Sequence, residues 1–191
     1  MKSGAYLDGY LEELKGSLDS VSREEFEEIA EALLQARRRG SQVFIMGNGG
    51  SASTASHMAC DLGKGCNVEG KKRFRAISLS DNIPLMTAWG NDTSYDNIFS
   101  EQLENHVQEG DLVIGISGSG NSPNVLNALK LARKKKAKTI GLTGFKGGKM
   151  KDLCDICLIV PSDNMQRIED AHLIIEHALS LYLKEKITEE V

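Results

Sequence analysis

The sequence predicts an α/β protein: a three-layer sandwich of helices around an open, parallel sheet of about five strands, doubly wound. Three observations carry this. The apolar runs VFIM (43–46), AISL (76–79), LVIGIS (112–117), TIGLTG (139–144) and CLIVP (157–161) are short and continuous, as in strands covered on both faces. Helical patterns separate them near 52–64, 83–106 and 123–136, and a long one follows over 164–186. The chain has 191 residues, 40% hydrophobic and 26% charged. That suits one domain, of a size that buries about 70% of its unfolded surface without staples. Residues 1–191 are expected to form this single domain, with helices over 1–40 and the α/β core over 41–191, since no linker, second boundary or short repeat interrupts it.

In chain order, Tyr6, Leu7, Tyr10, Leu11, Leu14 and Leu18 recur at helical spacing, so an amphipathic helix over 5–19 opens the chain as an arm ahead of the sheet. Ser22 begins S-R-E-E, a capping box closed by Glu25. The helix it starts presents Phe26, Ile29, Ala30, Leu33 and Leu34, and Gly40 terminates it. Arg37–Arg39 read as a solvated last turn complementing the helix dipole, and Arg133–Lys136 likewise. From residue 42 strands and helices alternate.

Composition excludes several classes. The net charge of −4 argues against a nucleic-acid partner, whose phosphates favour a basic protein. No apolar run approaches the roughly 18 residues of a membrane span, and acids interrupt the N-terminus where a signal peptide needs an apolar stretch. A soluble, cytoplasmic protein with no membrane partner is expected. Cys154 and Cys157 form a lone CxxC, which could be half a zinc ribbon or a redox pair. Without a second CxxC or redox-type flanks, they read as small apolar residues entering a strand. Cys60 and Cys66, six apart, match no common ligand spacing.

Two loops look alike: each follows a strand, is rich in Gly, Ser and Asn, and opens a helix. They are Gly47-Asn48-Gly49-Gly50-Ser51 and Ser117-Gly118-Ser119-Gly120-Asn121-Ser122-Pro123. Loops at the carboxyl ends of parallel strands are where such sheets bind ligands. In the second, Ser122 suits an N-cap and Pro123 the first helical position, while Ser117, Ser119 and Ser122 bring hydroxyls toward the helix N-terminus. No lysine follows, so nucleoside-triphosphate chemistry is not indicated, and G-x-S-x-G is absent. A neutral cradle for one phosphate ester fits, against a plainer turn whose serines only cap. The first loop reads G-x-G-x-x-A through Ala52, but no acidic residue stands where a dinucleotide site needs one. Asn48 instead offers an amide to a hydroxyl or carbonyl.

His57 and Asp61, four apart, share one face of the helix after the first loop, and the last helix carries Glu169, His172, Glu176 and His177. His57 and Asp61 make half a metal site that a further carboxylate and imidazole could complete. Glu169 and His177 stand roughly 12 Å apart along their helix, so one ion takes both only with extended rotamers, a favourable tilt or sharing between subunits.

The strings VFIMGNGGSASTASHMACDL, Gly90-Asn91-Asp92, GISGSGNSPNV, LTGFKGGKM and RIEDAHLIIEHAL resemble the sugar-isomerase (SIS) domain over nearly the whole chain, and among its members the phosphoheptose isomerases. The resemblance implies the SIS-type sandwich and isomerisation of sedoheptulose 7-phosphate to D-glycero-D-manno-heptose 7-phosphate. It also implies a homotetramer with interfacial active sites, and a divalent metal, zinc in several members. By position it assigns Asn48, Gly49 and Gly50, together with Ser51 in the same loop, and Asn91 and Asp92 to the substrate. Ser117, Gly118, Ser119 and Ser122 fall to the phosphate, and His57, Asp61, Glu169 and His177 to the metal and the acid–base set. Three positions depart from the family pattern: Asp61 where Glu is common, Glu169 where Gln is common, and Gly118 where Thr is common. The implied chemistry passes through an enediol, with Asp61 or Glu169 as base, His177 as partner acid and His57 chiefly a ligand. The rival expectation is a non-catalytic module of the same family that binds sugar phosphate or a partner protein, one relative of this kind promoting bacterial replication initiation.

Overall fold

The computed structural model describes residues 3–190, and among them five parallel strands pair in the order β2-β1-β3-β4-β5. They are β1 (Gln42–Gly47), β2 (Arg75–Ser78), β3 (Leu112–Ser117), β4 (Lys138–Gly144) and β5 (Ile156–Val160). The chain leaves β1 for the edge strand β2, then returns past β1 to β3. The strand order therefore reverses between β1 and β3, where such sheets open a ligand crevice at their carboxyl ends. The register aligns Met46 with Gly115 and Gly47 with Ile116, so the loops after the two strands leave the sheet side by side.

Both faces of the sheet are covered, which is why its strands are continuously apolar. On one face Val43, Ile45, Ile114, Ile116, Leu142 and Leu158 pack with Ile29, Leu33, Met58, Ile168 and Leu179 of the helices α2 (Arg23–Arg39), α3 (Gly50–Cys60) and α8 (Met165–Glu189). On the other, Phe44, Met46 and Val113 meet Phe99, just before α5 (Ser100–Glu104), Leu103 of α5, and Val125 and Leu129 of α6 (Pro123–Lys134). The arm helix α1 (Ser3–Asp19) buries Leu14 and packs on α8, where Tyr10 Oη donates to Asp170 Oδ2 (2.5 Å), but leaves Tyr6, Leu7 and Leu11 more than half exposed. No helix of the described residues is long and apolar enough to cross a membrane.

Ser22 Oγ accepts from the Glu25 N–H, but the expected capping box stays half made, since Glu25 Oε2 is buried without a hydrogen-bond partner among the described residues; Gly40, at φ 78°, closes α2 with its N–H on the Ala36 carbonyl. Three further expectations need correction. The helix expected over 83–106 is three pieces: α4 (Ile83–Asp92), a 3₁₀ turn (Tyr95–Asn97) and α5. The intervening N-D-T-S-Y-D-N run carries short polar side chains that compete for the backbone, and Thr93 Oγ1 already donates to the Trp89 carbonyl (2.7 Å). The helix over 52–64 is α until Cys60 and then one π turn, Asp61–Gly65, where Gly63 and Gly65 relax the backbone. Arg37 is no solvated dipole partner: it is 2% exposed, donates to the Lys72 carbonyl (2.7 Å) and pairs with Glu190, leaving Arg38 and Arg39 outside. A further short helix, α7 (Met150–Leu153), follows β4. All four cysteines are free thiols, and Cys154 and Cys157 pack half-buried against the second apolar layer.

Candidate active site

The two glycine-serine loops meet at the switch point, and each is shaped by backbone that excludes side chains. In the first, a Cβ at Gly47 would stand 2.6 Å from the Ser51 carbonyl oxygen, and Gly49 holds φ 55° before α3 begins. Ser51 is 5% exposed, beneath the loop, because the first turn of α3 folds back onto β1. In the second, Ser117 Oγ lies 2.9 Å from Ser122 Oγ and 3.5 Å from Ser119 Oγ, so the three hydroxyls gather at the start of α6. Ser122 occupies the N-cap backbone position, yet its hydroxyl turns to Ser117; Pro123 has no N–H and the Val125 N–H donates to Asn124 Oδ1 (2.9 Å), so the first turn offers a ligand the Asn124 N–H. The loop is pinned to the chain after β4: the Met150 N–H donates to the Gly120 carbonyl (3.1 Å) and the Lys149 N–H to Asn121 Oδ1 (3.1 Å). At Gly118 a Cβ would fall 2.3 Å from Met165 Sδ, so the methionine fills the space a side chain there would take.

An amide pair, half-buried at Asn48 and buried at Asn124, joins the first loop to the start of α6. Asn48 Nδ2 donates to Asn124 Oδ1 (2.9 Å), Asn124 Nδ2 returns a bond to Asn48 Oδ1 (2.8 Å), and Tyr95 Oη also donates to Asn48 Oδ1 (3.0 Å). Asn124 is 1% exposed. Sequence reasoning missed Asn124 and Tyr95; the available signal was an amide opening the otherwise apolar inward stripe Val125, Ala128, Leu129, Ala132. Asn91 and Asp92 sit exposed at the end of α4, bonded to each other (2.8 Å), on the segment that leads to Tyr95.

The ionisable residues line the seam between α3 and α8. Gly50 faces Glu169 and, farther along, His57 faces His177, so the two helices run side by side in the same sense. A Cβ at Gly50 would meet Glu169 Oε2 at 2.5 Å, placing this carboxylate against the first loop. His57 Nε2 and His177 Nε2 approach to 3.1 Å with edge-on rings, and Asp61 Oδ2 stands 3.9 Å from His57 Nε2 and accepts from Ser180 Oγ at 3.3 Å. Glu176 Oε2 completes the group at 3.6 Å from His177 Nε2. One donor atom from each of His57, Asp61, Glu176 and His177 lies within 4.8 Å of the others. Within one chain the expected foursome therefore divides. His57, Asp61 and His177 come together, while Glu169 stands two turns away along α8, at the other end of the seam, because eight residues of helix span about 12 Å. Sequence reasoning noted Glu176 but did not select it; the signal was a carboxylate within the buried stripe Ile168, Ala171, Ile175, Leu179.

Burial shapes the charges. Desolvation first, and then the neighbouring Asp61 carboxylate, push Glu176 up to about 7. His172, 1% exposed, donates through Nε2 to the Thr143 carbonyl (3.1 Å), and desolvation holds it down to about 4, so it is a neutral core residue apart from the cluster. His106, the fourth histidine, lines a separate groove along β2.

Two imidazoles and two carboxylates are a donor set for a divalent ion of the zinc type, and the buried Glu176 Oε2 has no hydrogen-bond partner among the described residues. The residues fit such an ion. A doubly wound sheet with a serine-lined cradle, an asparagine loop and a histidine–carboxylate seam at its switch point describes a protein that handles phosphorylated sugars. The chain belongs to the SIS domain family, whose pattern matches residues 9–144. It is 44% identical over 157 residues to the phosphoheptose isomerase of Aliarcobacter butzleri, covering 82% of each chain. It is 44% identical over 150 residues to that of Pelobacter propionicus, covering 78% of this chain and 79% of the other. Its structure matches that of the phosphoheptose isomerase GmhA from Neisseria gonorrhoeae with a TM-score of 0.88 at 30% identity, over 96% of this chain and 100% of the other.

Proposed function

We propose that this chain is a phosphoheptose isomerase, converting sedoheptulose 7-phosphate to D-glycero-D-manno-heptose 7-phosphate through an enediol. The observation that carries this reading is the placement of Glu169 against the first loop, within the crevice whose far side is the hydroxyl cradle. A carboxylate is thereby offered to one end of a sugar phosphate whose other end is anchored. Ser117, Ser119, Ser122 and the backbone of Gly118 hold the phosphate at the α6 N-terminus, where the Asn124 N–H and the helix dipole favour an anion. Asn48, Gly49 and Gly50 meet the sugar, with Asn91 and Asp92 at its rim, and Ser51 supports the loop from beneath.

Glu169 takes the proton from the carbon beside the carbonyl and returns it to the neighbouring carbon, while a second proton passes between the two oxygens. The His57–His177 pair faces the oxygens: in the metal-free protein one Nε2 of their hydrogen bond carries a proton that can be offered to a developing oxyanion, a proton that is given up where the two atoms would hold a cation. His57, Asp61 and His177 would hold a divalent cation, zinc for preference, which when bound polarises the carbonyl and stabilises the enediolate charge. The short Asp61 suits a ligand better than a base that must reach substrate, since one ångström of misplacement costs about a hundredfold in rate. A non-catalytic module would have no need to keep an ionisable side chain at positions 57, 61, 169 and 177, and this chain keeps all four.

The chain acts as one SIS domain within a homotetramer. Tyr6, Leu7 and Leu11 on α1 and Ile174, Leu181 and Tyr182 on α8 leave an apolar surface for a second copy, beside a groove of about 340 Å³ lined by Leu18, Val21, Phe26 and Ala178. Four free thiols suit the reducing cytoplasm. The test is solvent-deuterium incorporation into sedoheptulose 7-phosphate. Wild type should exchange one carbon-bound proton; because Gln is common at 169 in the family, Asp61→Asn and Glu169→Gln are compared, and the variant that loses the base should slow exchange by about 10²–10⁴-fold. A wild-type protein that exchanges no carbon-bound proton would refute the reading.

A further inference from the structure

We propose that Cys154 and Cys157 form a redox-active dithiol, oxidised by hydrogen peroxide to an intrachain disulfide and returned to thiols by an external dithiol. Residues three apart in a strand face opposite sides of the sheet, so a strand entered at Cys154 would keep these thiols apart. In the structure β5 begins only at Ile156, and a bend at Cys154 and Asp155 leads into it. Asp155 fastens that bend to β4: its N–H donates to the Thr139 carbonyl (3.0 Å), and its Oδ2 accepts from the Thr139 N–H (2.8 Å) and Oγ1 (2.9 Å). Cys154 is thereby folded onto the face that carries Cys157, with its own N–H on the Met150 carbonyl (2.9 Å) at the end of α7. The sheet makes room for both sulfurs. Gly141 of β4 pairs with Cys157, and a Cβ at Gly141 would stand 3.0 Å from Cys154 Sγ and 3.1 Å from Cys157 Sγ. The space a side chain would fill there holds the two thiols side by side.

The two thiols are not equivalent. A hydrogen bond donated by the Cys154 S–H holds Cys157 below the ordinary thiol range, against the burial that opposes it; Lys151 also lowers it, while Glu25 and Asp152 raise it. The same bond, with burial and the neighbouring carboxylate of Asp155, pushes Cys154 up, and Arg133 offsets this only in part. Cys157 is therefore the nucleophile and Cys154 the resolving thiol. The Cys157 thiolate attacks one peroxide oxygen, the O–O bond breaks, and hydroxide departs from a sulfenic acid. Cys154 sulfur then displaces the sulfenic hydroxyl, which leaves as water with the Cys154 proton, and the disulfide forms. The proton lost earlier from Cys157 neutralises the hydroxide, so two thiols are oxidised as one peroxide becomes two waters. Both sulfurs are half-buried and open to so small an oxidant. Cys66 is shielded from it, buried with its thiol on the Ser180 carbonyl and pushed up by desolvation to about 11.

The experiment follows the sulfurs by mass. Full-length reduced protein is treated with a small excess of hydrogen peroxide, alkylated with iodoacetamide and cleaved after lysine and arginine. Both cysteines then fall in the peptide 152–167. That peptide should become lighter by two hydrogens and escape alkylation, and dithiothreitol should restore both alkylation sites. Its oxidation should run at least about tenfold ahead of the exposed Cys60, a lead that should fall away in urea because the fold creates it. Cys154→Ser, whose hydroxyl can still donate to Cys157, should halt the reaction at a Cys157 sulfenic acid that dimedone captures. Cys157→Ser should leave Cys154 a thiol at the same peroxide dose. The wild-type measurement stands whether or not either variant folds. Two alkylatable thiols persisting in the peptide after Cys60 is oxidised, dimedone capture at Cys154 rather than Cys157, oxidation that dithiothreitol does not reverse, or disulfides formed between chains instead of within one would each overturn the proposal.

Discussion

Removing the Asn124 side chain should uncouple the two loops. Asn124 makes three hydrogen bonds: it donates to Asn48 Oδ1 (2.8 Å), accepts from Asn48 Nδ2 (2.9 Å) and accepts from the Val125 N–H (2.9 Å). Val125 is fully buried and lies in the first turn of α6, where the helix offers its N–H no carbonyl. Orphaning that donor costs about 1–3 kcal/mol, and the amide pair adds about 1 kcal/mol once the half-exposed Asn48 is rehydrated. Asn124→Ala should therefore destabilise by about 3 kcal/mol, or about 6–12 °C in Tm for a chain of this length. Freed of its partner, Asn48 loses its fixed orientation, and KM should rise more than kcat falls. The assay is a double-mutant cycle of Asn48→Ala and Asn124→Ala by urea unfolding and steady-state kinetics, with an expected coupling of about 1–2 kcal/mol. Additive effects, or a stability change below about 0.5 kcal/mol, would show that the pair does not tie the loops together.

Three other outcomes are expected. Gly120→Ala puts a Cβ 2.1 Å from the Gly147 carbonyl oxygen at φ +64°, so the cradle must part from the loop it rests on; phosphate-ester binding should weaken at least about tenfold with little change in circular dichroism. His172 is held neutral, at about 4 against its ordinary 6.5, so below pH 6.5 the unfolded chain takes up a proton that the folded chain refuses. Its share of stability is intact above pH 6.5 and is lost as pH falls toward 4, by up to about 3 kcal/mol; urea midpoints of His172→Gln should show a flatter pH dependence than wild type, and identical profiles would exclude this role. Leu7→Asp with Leu11→Asp places charge on the exposed face of α1 and should shift the particle toward smaller species in light scattering, whereas an unchanged mass would remove that face from the assembly.

Local patterns were legible wherever the physics is local. The five strands, the caps at Ser22 and Gly40 and the paired loops each follow from periodicity or backbone freedom within a few residues. The His57–Asp61 pair was legible for the same reason, since four residues of helix bring two side chains onto one face. Arg37 was misread because its partners, Lys72 and Glu190, lie 35 and 153 residues away. The break at Thr93–Ser94 was missed because short polar side chains and backbone compete on nearly even terms.

By itself the sequence determined that two loops would cap parallel strands and that imidazoles and carboxylates would ride on two particular helices. Only the tertiary structure decided which of them meet. Strand order placed the loops side by side between β1 and β3, with the Asn48–Asn124 pair across them. The parallel packing of α3 against α8 sent Glu169 to Gly50 and brought Glu176 to the histidines. A helical repeat fixes which residues share a face, but the neighbour that face is given depends on how two helices cross. That crossing is set by side chains packed throughout the core, so no local stretch of sequence contains it.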